Sequence, residues 1–128
     1  MNLLLDTHIF AWWICDGPEL SKTARAAIVN PDNRIFVSVV TAFEMATKHR
    51  LGKWDGIAEL IDEFESVLRE QRFEALPIGI HHSRLAGLYK AQHRDPFDRL
   101  LAAQAKLDSL VLVTADKAFK DFDVNILV

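Results

Sequence analysis

Leu3-Leu4-Leu5-Asp6-Thr7-His8, and near the other end of the chain Leu110-Val111-Leu112-Val113-Thr114-Ala115-Asp116, decide the fold. Each is a short apolar run closed by an acid. A run of this length with no polar residue reads as a strand buried on both faces. In a parallel α/β sheet, ligands gather outside the carboxyl ends of the strands. Asp6 and Asp116 are therefore expected at the edge where function sits. Between the two runs, His93-Arg94-Asp95-Pro96-Phe97-Asp98-Arg99 opens a strongly apolar helix whose first acids can reach the same crevice.

The rest of the chain alternates in the same way. Strands are expected at residues 1–5, 35–38, 73–78, 110–113 and 124–127. The third is broken by Pro77 and so is short or at an edge, and the last is also expected at an edge. Helices are expected at 9–15, from the Ser21 cap to about residue 30, and at 41–51 with Gly52 just past the end. Further helices are expected at 57–71, with an apolar stripe of Ile57, Leu60, Ile61, Phe64 and Leu68, then at 80–92 and 95–107, with a helical turn at 117–121. Such alternation predicts a mainly parallel sheet covered by helices on both faces, with the strand ends brought to one edge by right-handed crossovers.

Composition narrows the class. The chain has 128 residues, half of them apolar and 26% charged, as expected of one globular domain over 1–128. One cysteine, Cys15, excludes an internal disulfide and a four-thiolate zinc site, and it is expected to be a small buried hydrophobe. No basic leader precedes the first strand and no apolar run approaches the roughly 18 residues of a membrane span, so a reducing, cytoplasmic setting is expected. The net charge of −3 argues mildly against a nucleic-acid partner, but one bound divalent cation would make it −1 and two would make it +1. Basic residues also cluster, at Lys48, His49, Arg50 and Lys53, and around the acids at Arg94 and Arg99.

Four acids are candidates for chemistry, and each has an ordinary explanation. Asp6 is a good N-cap for the helix after it. Glu44 lies among apolar neighbours, where a glutamate is rarely buried unless paired or ligated, although Lys48 four residues on offers a surface ion pair. Pro96 fits the first helical position, which makes Asp95 the N-cap and puts Asp98 in the first turn, where the helix dipole favours an anion. Asp116 could cap the short helix that follows, and Thr114 is placed to hydrogen-bond a neighbouring carboxylate. Together they are more telling. Clustered carboxylates repel one another, and such a cluster usually holds a metal ion. Oxygen ligands favour Mg²⁺ or Mn²⁺, and that chemistry suits phosphodiester hydrolysis.

Leu4-Leu5-Asp6-Thr7-His8, the segment Ser38 to Thr41 to Glu44, the run His93-Arg94-Asp95-Pro96-Phe97-Asp98-Arg99-Leu100-Leu101-Ala102-Ala103-Gln104-Ala105, and Val113-Thr114-Ala115-Asp116-Lys117-Ala118-Phe119 resemble the PIN domain. Within it, the likeness is to the VapC-like toxin ribonucleases of bacterial toxin–antitoxin pairs, and it spans essentially the whole chain. The resemblance implies a three-layer α/β/α fold around a sheet of about 4–5 strands. It implies Mg²⁺- or Mn²⁺-dependent cleavage of RNA, homodimers, and a cognate VapB-like antitoxin that inserts a segment into the active-site groove; Trp12, Trp13 and the helices near residues 25–30 and 85–89 are the exposed apolar candidates for the dimer face. Asp6, Glu44, Asp98 and Asp116 match the family's acidic quartet. Thr7, Ser38, Thr41 and Thr114 match small polar positions near it, and Asp95 belongs to a subgroup motif as a cap or supporting residue. By the same resemblance Asp6, Glu44 and Asp98 would hold the principal metal and Asp116 would complete its shell, while Lys48, Arg94 and Arg99 could hold the RNA backbone. The five histidines are scattered, and solvent exposure is expected for most.

The alternatives are a non-catalytic RNA- or partner-binding module on the same fold, a phosphotransfer domain, or a nucleotide binder. The first would be signalled by missing acids, and all four are present. A phosphotransfer receiver would carry adjacent acids after the first strand, where this chain has Thr7 and His8. A nucleotide binder would need a glycine-rich turn there, which the chain lacks.

Overall fold

The computed structural model describes residues 1–90 and 92–128. The strands are β1 (Asn2–Leu5), β2 (Arg34–Ser38), β3 (Glu74–Leu76), β4 (Val111–Val113) and β5 (Ile126–Leu127). The helices are α1 (Thr7–Ile14), α2 (Lys22–Val29), α3 (Val39–Arg50), α4 (Ala58–Asp62), α5 (Phe64–Gln71), α6 (Ile80–Leu88) and α7 (Pro96–Leu107), and a 3-10 helix spans Lys117–Phe122. All strands pair in parallel, in the order β3-β2-β1-β4-β5. Leu3, Leu4 and Leu5 of the central strand are fully buried, as a strand covered on both faces requires. Leu3 and Leu5 join the core beneath α1, α2, α4 and α5. Leu4 points the other way, into a second core with Leu101, Ala102 and Ala105 of α7 and Phe119 and Phe122 of the 3-10 helix. This is the expected three-layer α/β/α arrangement, with β3 and β5 at the edges.

Several expected boundaries move, each for a local reason. The helix expected over 57–71 is two helices, broken at Glu63, whose φ and ψ are −105° and 20°. The apolar stripe continues across the break, so periodicity does not reveal it, and Phe64 beyond the break packs on Phe10 at 5.3 Å. Helix α3 starts two residues before the expected position because the Ser38 side chain caps it by accepting from the Val40 N–H. Helix α6 ends at Leu88 rather than 92, since Arg99 of α7 binds the carbonyls of Ala86, Tyr89 and His93. Residue 91, inside the expected helix, lies outside the described residues.

Three burial expectations are corrected. Cys15 is exposed, because it caps the C-terminus of α1 one residue beyond the helix, past the buried residues Ile9, Phe10 and Ala11. His82 is buried at 4% exposure. Its Nδ1 accepts from the Gly79 N–H at 2.8 Å, so its Nε2–H donates to Asp108 at 3.1 Å. Trp12 and Trp13, expected as exposed apolar candidates for a dimer face, are half-buried against the core, and Trp13 Nε1 donates to Gln71. Val29 and Leu88 are the exposed ones in the expected regions. Among the described residues, no helix is long and apolar enough to cross a membrane.

Candidate active site

The strand order reverses direction at β1: β2 and β3 lie to one side, β4 and β5 to the other. Parallel sheets open a crevice at such a point, outside the carboxyl ends of the strands. Asp6 stands there, directly after β1, its N–H bonded to the carbonyl of Val113 at the end of β4. It caps α1, with Oδ1 accepting from the Thr7 N–H at 2.7 Å, and Oδ2 accepts from the Thr114 hydroxyl at 2.7 Å. The side chain is thus held by one residue from each side of the β1/β4 seam. Burial pushes its carboxyl above the usual range. The bonds to Thr114 and Thr7 pull it back in part, and the charge of Glu44 raises it further.

Glu44 reaches the same place from α3 and is only 2% exposed. The Thr7 hydroxyl donates to its Oε1 at 2.7 Å. That uses the one Thr7 proton, so the contact between Thr41 and Thr7 at 3.1 Å has Thr41 as donor. A relay of Thr41 to Thr7 to Glu44 results, with both threonines fully buried. Lys48, one turn on, donates to Oε2. The expected ion pair therefore forms, but around a buried acid rather than on the surface. Burial works against the Lys48 ammonium, yet the bond to Glu44 and the charges of Glu44, Asp95 and Asp98 hold its pKa above the ordinary value.

Asp95 and Asp98 sit where the sequence puts them. Asp95 Oδ1 accepts from the N–H groups of Phe97 and Asp98, with Pro96 in the first helical position. Asp98 projects from the first turn of α7, and burial raises its pKa from 3.8 to about 7. A bond from His93 works the other way, and the charges of Asp95, Asp6 and Glu44 add to the rise. Asp116, in contrast, is exposed and caps the 3-10 helix through the Ala118 N–H at 2.9 Å. Its own N–H donates to the Thr114 hydroxyl, so Thr114 ties Asp116 to Asp6.

The buried acids Asp6 and Glu44 thus face the half-buried Asp98, each raising the cost of charge on another, with Lys48 the cation bonded among them. Uncompensated buried charge is costly. The donor set is one of hard oxygens, and it fits a divalent cation of the Mg²⁺ or Mn²⁺ class.

Two other groups were not legible beforehand. His93 Nε2 lies 2.7 Å from Asp98 Oδ2, its ring packed on Phe119 and Phe122. Donor atoms of His93, Asp98 and Asp116 lie within 4.8 Å of one another. The sequence signal for His93 was its place at the head of the run that resembles the PIN domain, two residues before the Asp95 cap, and its bond to Asp98 was not foreseen. Gln104 is fully buried in the apolar run of α7, accepting from the Ser38 hydroxyl at 2.6 Å and donating to the carbonyl of Pro77 at 3.1 Å. Ser38 accordingly serves the α3 cap and Gln104 rather than touching an acid. Arg99, a candidate for RNA contact, points its guanidinium at the carbonyls of Ala86, Tyr89 and His93 and so anchors the segment between α6 and α7. Arg94 is exposed.

Residues 3–125 match the model of the PIN domain family, and the chain belongs to that family. A search of curated proteins finds no match. Among solved structures the fold is similar to VapBC2 from Rickettsia felis, bound to a DNA fragment from its promoter. The TM-score is 0.73 at 18% identity, over 99% of this chain and 98% of the other. It is also similar to VapBC-1 from nontypeable Haemophilus influenzae, with a TM-score of 0.71 at 21% identity, over 99% and 97% of the two chains. VapBC-5 from Mycobacterium tuberculosis, a member of the VapBC family of toxin–antitoxin systems, gives 0.62 at 20% identity, over 98% and 97%.

Proposed function

We propose that this chain is a metal-dependent endoribonuclease and the toxin of a toxin–antitoxin pair. The observation that carries the reading is the approach of the buried acids Asp6 and Glu44 to Asp98 at the strand ends, where their charges raise the cost of charge on Asp98 and that of Glu44 raises it on Asp6. Such a site is stabilised when a cation enters. Mg²⁺ or Mn²⁺ would supply a Lewis acid that activates water for attack on a phosphodiester and offsets charge on the phosphoryl oxygens. Asp6, Glu44 and Asp98 would hold the ion, with Asp116 closing the open side. Thr7 and Thr114 fix the carboxylates in place, and His93 holds one oxygen of Asp98, leaving the other for a ligand. Lys48 balances Glu44 and can turn to an RNA phosphate when the metal takes over that role, and exposed Arg94 is proposed as a second backbone contact.

The solved VapBC neighbours support the toxin reading and a VapB-like antitoxin as partner. Exposed Val29 on α2 and Leu88 on α6 are available to a second copy in a homodimer. The setting proposed is cytoplasmic, where RNA is met, with 1–128 acting as a single domain. Induced expression in a bacterial host tests the toxin part. Growth is expected to stop with the wild-type chain and to continue with Asp6→Asn. Equal growth arrest by both would overturn the assignment of toxicity to this site.

A further inference from the structure

Two aromatic rings, His8 and Trp12, border the groove beside Asp6 and Asp116, and a third, Trp54, stands behind His8. His8 is exposed on the first turn of α1. Trp12, one turn on, lies 5.8 Å from it with the rings tilted by 52°. Trp54, from the loop between α3 and α4, stacks on His8 at 4.7 Å and 13°. That loop is shaped to deliver Trp54. Gly52 turns the chain at φ +73°, the Lys53 N–H returns to the Lys48 carbonyl, and the His49 Nδ1–H donates to the Trp54 carbonyl at 2.9 Å. A shallow cavity of about 310 Å³ is lined by Asp6, His8, Trp12, Ala115 and Asp116 together.

Trp12 and Trp54 pack in part against the core, but His8 stands outside it. Ile9, Phe10 and Ala11 are the buried residues that fasten α1 to the sheet, and His8 faces solvent. The geometry points to a platform for an unpaired nucleobase, on which the base next to the scissile phosphate lies while that phosphate meets the acids. A nucleotide is the ligand whose parts match rings set beside a metal-binding acid cluster, because it joins a flat ring to a phosphate at short, fixed reach. Stacking on aromatic side chains is the common means of holding single-stranded nucleic acid and tolerates any base. In RNA it is open only to residues outside a paired helix. The platform rests on the ribonuclease reading above and adds to it which side chains hold the base beside the cut.

The test pairs ring removal with base removal. Short unpaired RNAs carrying one abasic position, stepped along the chain, are cut with Mn²⁺ by the wild type, His8→Ala, His8→Phe and Trp12→Leu, each shown to be folded by its melting curve. In the wild type, an abasic position beside the cut is expected to lower kcat/KM roughly tenfold. In His8→Ala the intact RNA is cut more slowly and the abasic position costs little more. His8→Phe keeps an aromatic ring and restores the dependence. An abasic penalty of the same size in wild type and His8→Ala overturns the platform, as does cutting of intact RNA untouched by either the His8→Ala or the Trp12→Leu change; a protein segment would then be the better occupant. Failure of the wild type to cut any RNA with either metal overturns the ribonuclease reading and the platform with it, whereas efficient cutting indifferent to the abasic position removes the platform alone.

Discussion

Asp98→Asn should stabilise the metal-free protein at alkaline pH, an unusual result for the loss of a charge from a helix N-terminus. The Asp98 carboxyl sits near pH 7, raised from 3.8 by burial and by the charges of Asp95, Asp6 and Glu44. Its stability contribution has a definite sign. Below pH 3.8 the acid is protonated in both folded and unfolded chains and costs nothing. From there to about pH 7 the unfolded chain ionises while the folded one resists, so stability falls as pH rises, and above pH 7 the penalty is complete. A displacement of about three pH units has a ceiling of about 4 kcal/mol. The side chain is 15% exposed at the mouth of a groove, so solvent screening leaves roughly 1–2 kcal/mol. The helix dipole returns about 0.5 kcal/mol of that to the native aspartate. The amide oxygen of Asn can still accept from His93, so the bond at 2.7 Å need not be lost. Thermal melts in EDTA at pH 8 should therefore place the variant a few degrees above the wild type, with most of the difference gone by pH 4.5. Saturating Mn²⁺ should reverse the order at pH 8. A variant less stable than the wild type at pH 8 in EDTA would refute the electrostatic reasoning.

Mg²⁺ or Mn²⁺ should raise the melting temperature of the wild type in proportion to the logarithm of concentration, and a flat response to millimolar metal would count against the site. Thr7→Val should lower stability by about 1–3 kcal/mol, because it strips the buried Glu44 Oε1 of its donor and Thr41 of its acceptor; chemical denaturation would measure this, and a change under half a kcal/mol would contradict the relay. Arg99→Ala should cost about 2 kcal/mol and speed hydrogen exchange between α6 and α7, since the carbonyls of Ala86, Tyr89 and His93 lose a charged donor. Unchanged exchange there would show that the segment holds itself.

The parts of this fold legible in the sequence are those where one signal has one meaning. Leu3-Leu4-Leu5 has no polar side to turn to water, so it belongs in mid-sheet. Asp95-Pro96 marks a helix start by two independent chemistries, the cap and the missing proline N–H, and α7 begins where they say. Asp6, Asp98 and Asp116 stood out because each follows a strand or opens a helix, and Glu44 because it lies among apolar neighbours within α3. The missed features depend on partners distant in sequence. The break at Glu63 leaves the apolar stripe intact, and the early end of α6 is imposed by Arg99 from the next helix. Arg99 itself read as a groove cation because nothing local tells a guanidinium facing carbonyls from one facing phosphate. His93 and Gln104 gain their meaning from Asp98 and Ser38, which only the folded chain brings near.

The central claim is that Asp6 and its neighbouring acids make a metal site for RNA hydrolysis, and cleavage of total cellular RNA tests it most directly. Purified protein, freed of any antitoxin, would be incubated with Mg²⁺ or Mn²⁺ and with EDTA, beside the Asp6→Asn variant. Cleavage that requires metal, stops in EDTA and is lost in a folded Asp6→Asn protein is the predicted result. Full cleavage by Asp6→Asn, or none by the wild type with either metal, would contradict it.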